Sequence, residues 1–295
     1  MLQNTVSTRR NIGGTEFPIL AAALPVVAND PVGDTYWHIR LKAATTHLSS
    51  RPGQFFQLRC PRSEAGDPFL RRPMSVYAVD TNVGEIAFLY KVTGIGTTGL
   101  STLVPGDTLD VLGPLGVGFD INPEWDHVLV VARGVGLATM GPLARALHHN
   151  GVALTAICSY RTPEATIGLE PFELHGSVHT VYDTDGTSDI ASVDSLIREE
   201  HARRSFSFAY TCGSKRIVSL LQDLSSQLGF GGEVALEQRM ACGLGMCHSC
   251  VIDLRRGDTV ESVRVCTRGP VFSLGDIVAP EETLSWYRSC DESAI

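Results

Sequence analysis

The sequence lacks long apolar stretches and runs of basic residues. No segment approaches the ~20 apolar residues that a membrane-spanning helix needs, which argues against a membrane span. Lys and Arg number 24 against 32 Asp and Glu, so the chain carries a net charge of −8. That balance disfavours nucleic acid and anionic membranes as partners. With 43% hydrophobic residues there is also no disorder signature, and 295 residues suffice for about two to three domains with buried cores.

Hydrolase and export signatures are missing as well. No Ser/His/Asp or paired-carboxylate arrangement stands out, so we predict no hydrolytic chemistry. Arg9-Arg10 precedes an apolar run over residues 17–28, which resembles a weak twin-arginine export signal. Pro18 and Pro25 interrupt that run, and no clean small-residue cleavage site follows it. We therefore expect the run to lead into a first β-strand.

The chain does contain a compact cysteine motif. Cys242, Cys247 and Cys250 follow the spacing C-x4-C-x2-C, and Cys266 comes sixteen residues later. This spacing is typical of plant-type [2Fe–2S] sites. Three thiolates then come from one loop and the fourth from a later segment. Because four thiolates on two irons leave no open position for a substrate, the motif predicts a centre that transfers single electrons.

Two other interpretations of the cysteines are less favoured. A structural zinc site usually has two C-x2-C pairs, and only Cys247 and Cys250 form one. Disulfides would need an oxidising compartment. His248 lies inside the loop but four cysteines already complete the site, so we interpret it as a side chain near the sulfurs. The other cysteines are scattered, which suits reduced thiols in a cytoplasm; they are Cys60, Cys158, Cys212 and Cys290.

The first part of the chain, to about residue 119, has short runs of β-formers separated by turn residues. This pattern predicts a small antiparallel β barrel of five or six strands. The strand candidates are Tyr36–Lys42, Gln54–Arg59, Ser75–Val79, Glu85–Val92 and Thr108–Leu112. The predicted turns are residues 29–31, 51–53, 80–84 and 105–107.

Two polar motifs interrupt this barrel. One, residues 71–76, places an arginine and a hydroxyl at the start of a strand. The other, residues 94–100, is a Gly/Thr loop before a short helical turn, whose N–H groups can accept a phosphate. Each motif alone is compatible with an ordinary strand entry or turn. Together, ahead of a nucleotide-binding unit, they indicate a flavin site.

From His127 the pattern becomes an alternation of buried strands and helices. Predicted strands cover 127–132, 152–159, 178–182 and 206–211, and predicted helices cover 139–149, 193–204 and 215–228. Such alternation predicts a doubly wound parallel α/β sheet. The glycine-rich turn with Gly134 and Gly136 follows its first strand, where a dinucleotide pyrophosphate meets a helix N-terminus. After the second strand no acidic residue appears before Glu164, so the choice between NAD and NADP stays open.

The last part of the chain carries the cluster. Residues 229–232 are predicted to be a linker, and 251–254 and 262–265 to pair around a turn that delivers Cys266. The acidic tail 281–295 is predicted to be a surface segment. We thus expect three domains: a flavin-binding barrel at 17–120, a nucleotide-binding α/β domain at 121–230 and a small [2Fe–2S] domain at 231–295.

These motifs in this order resemble the electron-transfer subunit of class 1B dihydroorotate dehydrogenase, among the ferredoxin-reductase-like flavoproteins. The resemblance runs from about residue 24 to 280. It is carried most strongly by residues 72–75 and 110–116 and by the flanks of the cluster, 237–243 and 266–272.

The resemblance implies a relay of electrons between NAD, FAD, the [2Fe–2S] cluster and the FMN of a partner. The residues it assigns to FAD are Arg72, Pro73, Met74, Ser75, Leu89, Tyr90, Lys91, Gly96 and Thr97. For the nicotinamide half it implies Gly134, Gly136, Cys212 and Gly213, and for the metal Cys242, Cys247, Cys250 and Cys266. It also implies a cytoplasmic hetero-oligomer, two such chains with two FMN-containing dehydrogenase subunits, in pyrimidine biosynthesis.

Two departures from the family pattern keep alternatives open. Arg133 stands where the family's turn is glycine-rich, and Ser214 where a proline is common in the superfamily. Both positions shape the backbone of the nicotinamide half. One alternative is therefore an electron carrier that has lost nicotinamide binding. Another keeps the scaffold but serves a different dehydrogenase or a ferredoxin.

Overall fold

A computed structural model describes residues 19–33 and 35–278. These residues form a seven-stranded sheet, a six-stranded sheet and a two-stranded hairpin. Arg9-Arg10 and the tail 281–295 lie outside the described residues, so the expectations about them remain predictions. Among the described residues, no helix combines the length and apolar character needed to cross a bilayer.

The first sheet is the barrel predicted from the strand spacing. Its elements are β1 (Leu20–Val32), β2 (Tyr36–Lys42), α1 (Thr45–Leu48), β3 (Phe55–Leu58), β4 (Arg72–Ser75), β5 (Ala78–Asp80), β6 (Glu85–Lys91), α2 (Ile95–Leu100) and β7 (Thr108–Leu115). The strands lie in the order β4-β3-β7-β1-β2-β6-β5, and every neighbouring pair is antiparallel. The predicted antiparallel architecture is confirmed. There are seven strands rather than six because the predicted strand at 75–79 is broken between β4 and β5.

One predicted turn in the barrel is wrong. Residues 29–31 continue β1, and Pro31 is paired with Trp37 near the end of that strand. Asn29 is not a turn residue, since its side-chain amide donates to the carbonyl oxygens of Leu100 and Leu103, each at 3.0 Å. The chain reverses two residues later, at Gly33, whose φ of +69° is the left-handed conformation that glycine adopts readily.

The remaining elements form the second sheet and the cluster segment. They are β8 (His127–Arg133), α3 (Gly136–His149), β9 (Ala153–Tyr160), α4 (Glu170–Glu173), β10 (Ser177–Tyr182), α5 (Ile190–Arg203), β11 (Phe208–Cys212), α6 (Lys215–Leu228), β12 (Gly231–Ala235), β13 (Val251–Arg256), β14 (Thr259–Arg264), α7 (Val265–Arg268) and β15 (Val271–Ser273). Single 3₁₀ turns occur at Pro163–Ala165 and Leu274–Asp276.

The second sheet has the order β10-β9-β8-β11-β12-β15, parallel except for the antiparallel edge strand β15. Buried side chains cover both of its faces, and the middle of β8 is inaccessible to solvent. Such double-sided burial explains the continuous apolar run at 128–132. The predicted doubly wound sheet is confirmed, and its carboxyl ends form the edge where such folds bind nucleotides.

The prediction of a linker at 229–232 is wrong for residues 231 and 232. Gly231 and Gly232 belong to β12, where they pair with Phe208 and Ala209. A Cβ at Gly232 would lie 3.0 Å from the carbonyl oxygen of Ala209, so this glycine serves close packing in the sheet. The chain then leaves the sheet to form the cluster segment and returns to it as β15.

The cluster segment is anchored to the barrel. Strands β13 and β14 form the predicted hairpin, and Cys266 follows it in α7. Phe55 and Leu115 of the barrel share a buried core with Cys250 and Cys266. The second sheet is also fixed to the barrel, because Arg145 of α3 donates to the carbonyl oxygen of Tyr77 at 3.3 Å. These contacts place three candidate sites on neighbouring surfaces.

Candidate functional site

The cysteine loop, residues 242–250, lies against the outer face of the barrel. Gly243 and Gly245 both have positive φ, +71° and +80°, as the tight loop requires. A Cβ at Gly243 would lie 2.8 Å from the Cγ atom of Gln57, and a Cβ at Gly245 would lie 2.8 Å from the Cγ2 atom of Thr267. The loop therefore needs glycine at both positions for conformation and for close approach.

The four predicted cluster cysteines are brought together in two pairs. Cys242 interacts with Cys247 through hydrogen bonds, and Cys250 interacts with Cys266 in the same way. Among residues 19–33 and 35–278, no group of three or more His, Cys, Asp or Glu side chains lies close enough to hold a metal ion. Two pairs of thiols are the donor set that two irons need.

The environments of the two pairs differ. Cys247 is exposed, and hydrogen bonding with Ser249 lowers the pKa of its thiol, which favours the thiolate that binds iron. Cys250 and Cys266 are buried, and burial raises the pKa of Cys266. A bound metal ion would replace the thiol protons, and its positive charge would offset the cost of burying the thiolates. Cys247 is thus exposed to solvent and Cys242 is half-buried, whereas Cys250 and Cys266 face the protein core.

Other groups of the loop hold the sulfurs in place. The backbone N–H of Leu244 donates to the Sγ atom of Cys242 at 3.3 Å. The Arg264 guanidinium donates to the carbonyl oxygen of Gly245 at 3.0 Å and lies 3.3 Å from the Nε2 atom of His248. His248 has a φ of +56°, a strained value for a residue with a side chain. It is oriented toward Arg264 within the loop.

The predicted flavin motifs meet in space. The Nε atom of Arg72 would lie 2.8 Å from a Cβ at Gly96, so the guanidinium rests directly on the start of α2. A Cβ at Gly96 would displace the Arg72 guanidinium from this position. An arginine beside free backbone N–H groups is a suitable cradle for a diphosphate. The Thr97 hydroxyl accepts from the N–H groups of Thr93 and Gly94, at 2.9 and 3.2 Å, so it shapes the loop itself.

Strand β6 has a free edge next to this cradle. Strand β5 pairs with β6 only as far as Ala87, whose carbonyl oxygen accepts from the N–H of Tyr77. Because backbone groups alternate sides along a strand, Leu89 and Lys91 direct theirs to the same side as Ala87. No described strand pairs with them there. Tyr90 is different: its side chain is buried in the barrel, and its hydroxyl donates to Asn29 at 3.0 Å.

Within β4, two of the four predicted flavin residues, Arg72 and Ser75, direct polar groups to neighbouring elements. Arg72 lies against α2, and the Ser75 hydroxyl accepts a hydrogen bond from the Thr139 hydroxyl of α3 at 2.9 Å. Met74 packs against the barrel core, and Pro73 is paired with Gln57. Pro73 and Met74 therefore shape the strand.

The predicted nicotinamide residues come together at the carboxyl ends of β8 and β11. Gly134 has a φ of +53° in the turn before α3. A Cβ at Gly136 would lie 2.4 Å from the carbonyl oxygen of Cys212 and 3.2 Å from its sulfur. The N-terminus of α3 therefore abuts the Cys212-Gly213 turn. Ser214 is the residue before α6, with extended backbone angles that a proline also adopts.

Arg133 does not occupy this turn. Its guanidinium forms a bidentate ion pair with Asp183 at 2.9 and 2.6 Å and donates to the Ser159 hydroxyl at 2.9 Å. These partners lie at the ends of β10 and β9. The hydrogen bonds from Arg133 hold the pKa of Asp183 well below its usual range, at about 2. The arginine thus ties neighbouring strand ends together, and its charged group is directed to them rather than to the turn before α3.

Three further cleft residues were missed by the sequence analysis. Thr139 links Ser75 with the Cys212 thiol, to which its hydroxyl also hydrogen-bonds. Glu237 lies near Tyr36 and Cys212, and desolvation by the surrounding protein raises the pKa of its carboxyl although the residue is exposed to solvent. Burial is the main cause that raises the pKa of Tyr36, and the negative charge of Glu237 raises it further. Only the position of Glu237 just ahead of the cluster motif hinted at a role, and nothing singled out Tyr36.

Comparisons with known proteins agree with this geometry. A family model for the iron-sulfur cluster binding domain of dihydroorotate dehydrogenase B matches residues 237–278. The chain is 33% identical over 259 residues to the dihydroorotate dehydrogenase B (NAD(+)) electron transfer subunit of Geobacillus sp. (strain WCH70), covering 86% of this chain and 97% of that protein. The corresponding subunit of Streptococcus pneumoniae serotype 4 is 32% identical over 257 residues, covering 86% and 100%.

A solved structure is similar over almost the whole chain. A chain of the NADH-dependent reduced ferredoxin-NADP oxidoreductase superimposes with a TM-score of 0.73 at 26% identity, covering 92% of each chain. The ferredoxin-NADP+ reductase of Plasmodium falciparum superimposes with a TM-score of 0.55 at 14% identity, covering 72% of this chain and 91% of that one. The second likeness concerns the fold alone.

Proposed function

The chain belongs to the family of dihydroorotate dehydrogenase B electron transfer subunits, and from this premise we propose how its residues divide the work. It is an oxidoreductase subunit that uses FAD, a [2Fe–2S] cluster and NAD, and it acts with a catalytic subunit. The observation that carries the proposal is the convergence of three predicted sites on one cleft and the adjoining barrel face. The arrangement leads from the nucleotide edge to the cysteine loop.

We assign the flavin to the cleft between barrel and second sheet. Arg72 and the start of α2 would hold the diphosphate, and the backbone groups at the free edge of β6, at Leu89 and Lys91, would hold the ring system. Ser75 faces this position and is oriented by Thr139. Bound FAD exchanges the two-electron hydride of a nicotinamide for the single electrons that an iron–sulfur cluster carries.

The nicotinamide dinucleotide is assigned to the carboxyl ends of β8 and β11. The turn with Gly134 and Gly136 at the N-terminus of α3 would hold the pyrophosphate. Cys212 then lies between this turn and the flavin cleft. Since Arg133 is paired with Asp183, it does not obstruct the turn, which removes the main reason to favour a carrier without nicotinamide binding.

Cys242, Cys247, Cys250 and Cys266 would hold the cluster. Cys247 is exposed on the side where a partner's electron carrier can approach, whereas Cys250 and Cys266 are buried against the barrel. We also propose the three domains at 17–120, 121–230 and 231–295, and a cytoplasmic location. Three of the remaining cysteines, Cys60, Cys158 and Cys212, are free thiols buried in the described part of the chain, which fits a reducing compartment.

Reconstitution with a catalytic partner tests this function. The anaerobically purified chain is mixed with an FMN-containing dihydroorotate dehydrogenase subunit, dihydroorotate and NAD, and formation of NADH is followed. We expect NADH only when both subunits are present. A chain whose chromophores are reduced by NADH but which never couples to dihydroorotate would belong to a different dehydrogenase or a ferredoxin.

A further inference from the structure

Gln57 is a buried amide without a partner. It lies in the centre of β3, its side chain is 0% exposed, and neither its Oε1 nor its Nε2 atom has a hydrogen-bond partner among the described residues. Buried amides are normally satisfied, because leaving them unpaired forfeits the hydrogen bonds they make with water. An unpaired pair of polar atoms therefore indicates a group that is bound in the working protein.

The surroundings of Gln57 restrict what that group can be. In the sheet it is flanked by Pro73 and Leu112, whose side chains offer no hydrogen-bond partner. Above the sheet lies the cysteine loop, where a Cβ at Gly243 would come within 2.8 Å of the Cγ atom and 3.0 Å of the Nε2 atom of Gln57. The amide nitrogen thus lies against the residue that follows Cys242.

We propose that the Gln57 side-chain amide donates an N–H hydrogen bond to a sulfur of the [2Fe–2S] centre on the Cys242 side, and thereby raises its reduction potential. This inference rests on the proposed function, which assigns the cluster to this loop. Reduction adds one electron whose charge spreads over the sulfurs, so a donor stabilises the reduced cluster more than the oxidised one. The electron comes from FAD when NADH is the donor and from the partner's FMN when dihydroorotate is the donor, and no covalent bond changes.

The position of Gln57 gives this effect a role in the relay. Gln57 is paired with Pro73, the residue after the proposed diphosphate-binding Arg72, and its side chain supports the cluster loop. It therefore lies between the flavin strand and the first cluster cysteine. A donor here favours the state in which the electron resides on the cluster rather than on FAD.

The test is a redox titration of the complete chain, loaded with FAD and cluster and followed by electron paramagnetic resonance. We expect Gln57→Leu to shift the balance of oxidised and reduced cluster about tenfold toward oxidised at a fixed potential, about 59 mV for one electron. The flavin potential should stay unchanged. Gln54→Leu is the matched control, since Gln54 donates to the carbonyl oxygen of Gly116 at 2.8 Å, and it should leave the cluster potential unchanged.

Gln57→Met, an unbranched replacement of similar length, serves as a second variant should the leucine interfere with folding of the loop. A wild-type-like cluster potential in a loaded Gln57 variant would overturn the proposal. So would a shift of the flavin potential alone, which would mean that the amide bonds to the flavin. A wild-type chain that holds no cluster would instead contradict the proposed function.

Discussion

Substitution of Gly136 by alanine is the sharpest test of the nicotinamide site. A Cβ at this position would lie 2.4 Å from the backbone carbonyl oxygen of Cys212, and the separation must grow to at least 3.0 Å to be tolerated. The obstacle is the backbone carbonyl group of Cys212 at the end of β11, and a backbone group cannot rotate away as a side chain can. The start of α3 must therefore move relative to β11.

The size of the effect follows from this displacement. Overpacking of this kind costs about 1–3 kcal/mol in the free energy of unfolding. At the site, a misplacement on the order of 1 Å costs roughly 10²-fold in rate. We therefore expect reduction of the flavin by NADH to slow by about 10- to 100-fold. FAD and cluster content should stay as in the wild type, because Arg72 and the cysteines lie outside α3.

The assay is stopped-flow reduction by NADH under anaerobic conditions, together with thermal unfolding. Gly141→Ala is the matched control in the same helix. A Cβ there would meet its nearest neighbours, Pro171 and Tyr77, at 3.5 Å, which is ordinary contact. In a helix interior alanine is favoured over glycine by roughly 0.5–1 kcal/mol, so Gly141→Ala should be neutral or stabilising. Wild-type rates in Gly136→Ala would refute the assignment of this turn to the nicotinamide.

Three further predictions concern the cluster, the flavin site and a buried histidine of the barrel. Cys247→Ser should abolish or bleach the cluster while FAD stays bound, as measured by visible spectra; loss of both cofactors would contradict separate sites. Arg72→Gln should weaken FAD binding by about 10- to 100-fold in a fluorescence titration, given roughly 1.5–3 kcal/mol for hydrogen bonds to charged groups. The adjacent Arg71→Gln is its control, because Arg71 pairs with Asp110 at 2.9 Å, and equal FAD loss in both variants would count against the cradle. Burial lowers the pKa of His47, and its ring nitrogens have no hydrogen-bond partner in the described chain. The unfolded state therefore binds a proton at this residue more readily than the folded state. The free energy of unfolding should be highest above the unfolded pKa of about 6.5 and should decrease as the pH drops below it. His47→Met should flatten this fall and stabilise the protein by about 1 kcal/mol in denaturant titrations at acidic and neutral pH, and an unchanged slope would contradict the argument.

Local patterns predicted most of the architecture. Strands, helices and the cluster hairpin followed from periodicity and turn residues, and α6 begins and ends where the sequence indicated. Residues 29–31 and 229–232 were misjudged because turn-type residues there serve long-range contacts. Asn29 bonds to carbonyl oxygens more than seventy residues away. Gly232 allows close packing against β11. Neither reason is visible in a local window.

The candidate sites were predictable to the extent that their residues are close in sequence. The cysteine spacing and the motif at 72–75 identified two of them. The role of Arg133 was not predictable, because its partner Asp183 lies fifty residues away at the end of another strand. The proposed role of Gln57 was likewise not predictable, because it depends on the contact of its side chain with Gly243, far away in the sequence. Such pairings depend on which strands become neighbours.

The most direct test of the account is the visible spectrum of the anaerobically purified chain during titration with NADH, then with NADPH. We predict a brown-yellow protein whose flavin and cluster bands both bleach with NADH. Bleaching of both chromophores would establish transfer from nicotinamide through FAD to the cluster within this single chain. If FAD and cluster are present but neither nicotinamide bleaches them, the relay does not begin at the turn between β8 and α3, and the account is contradicted.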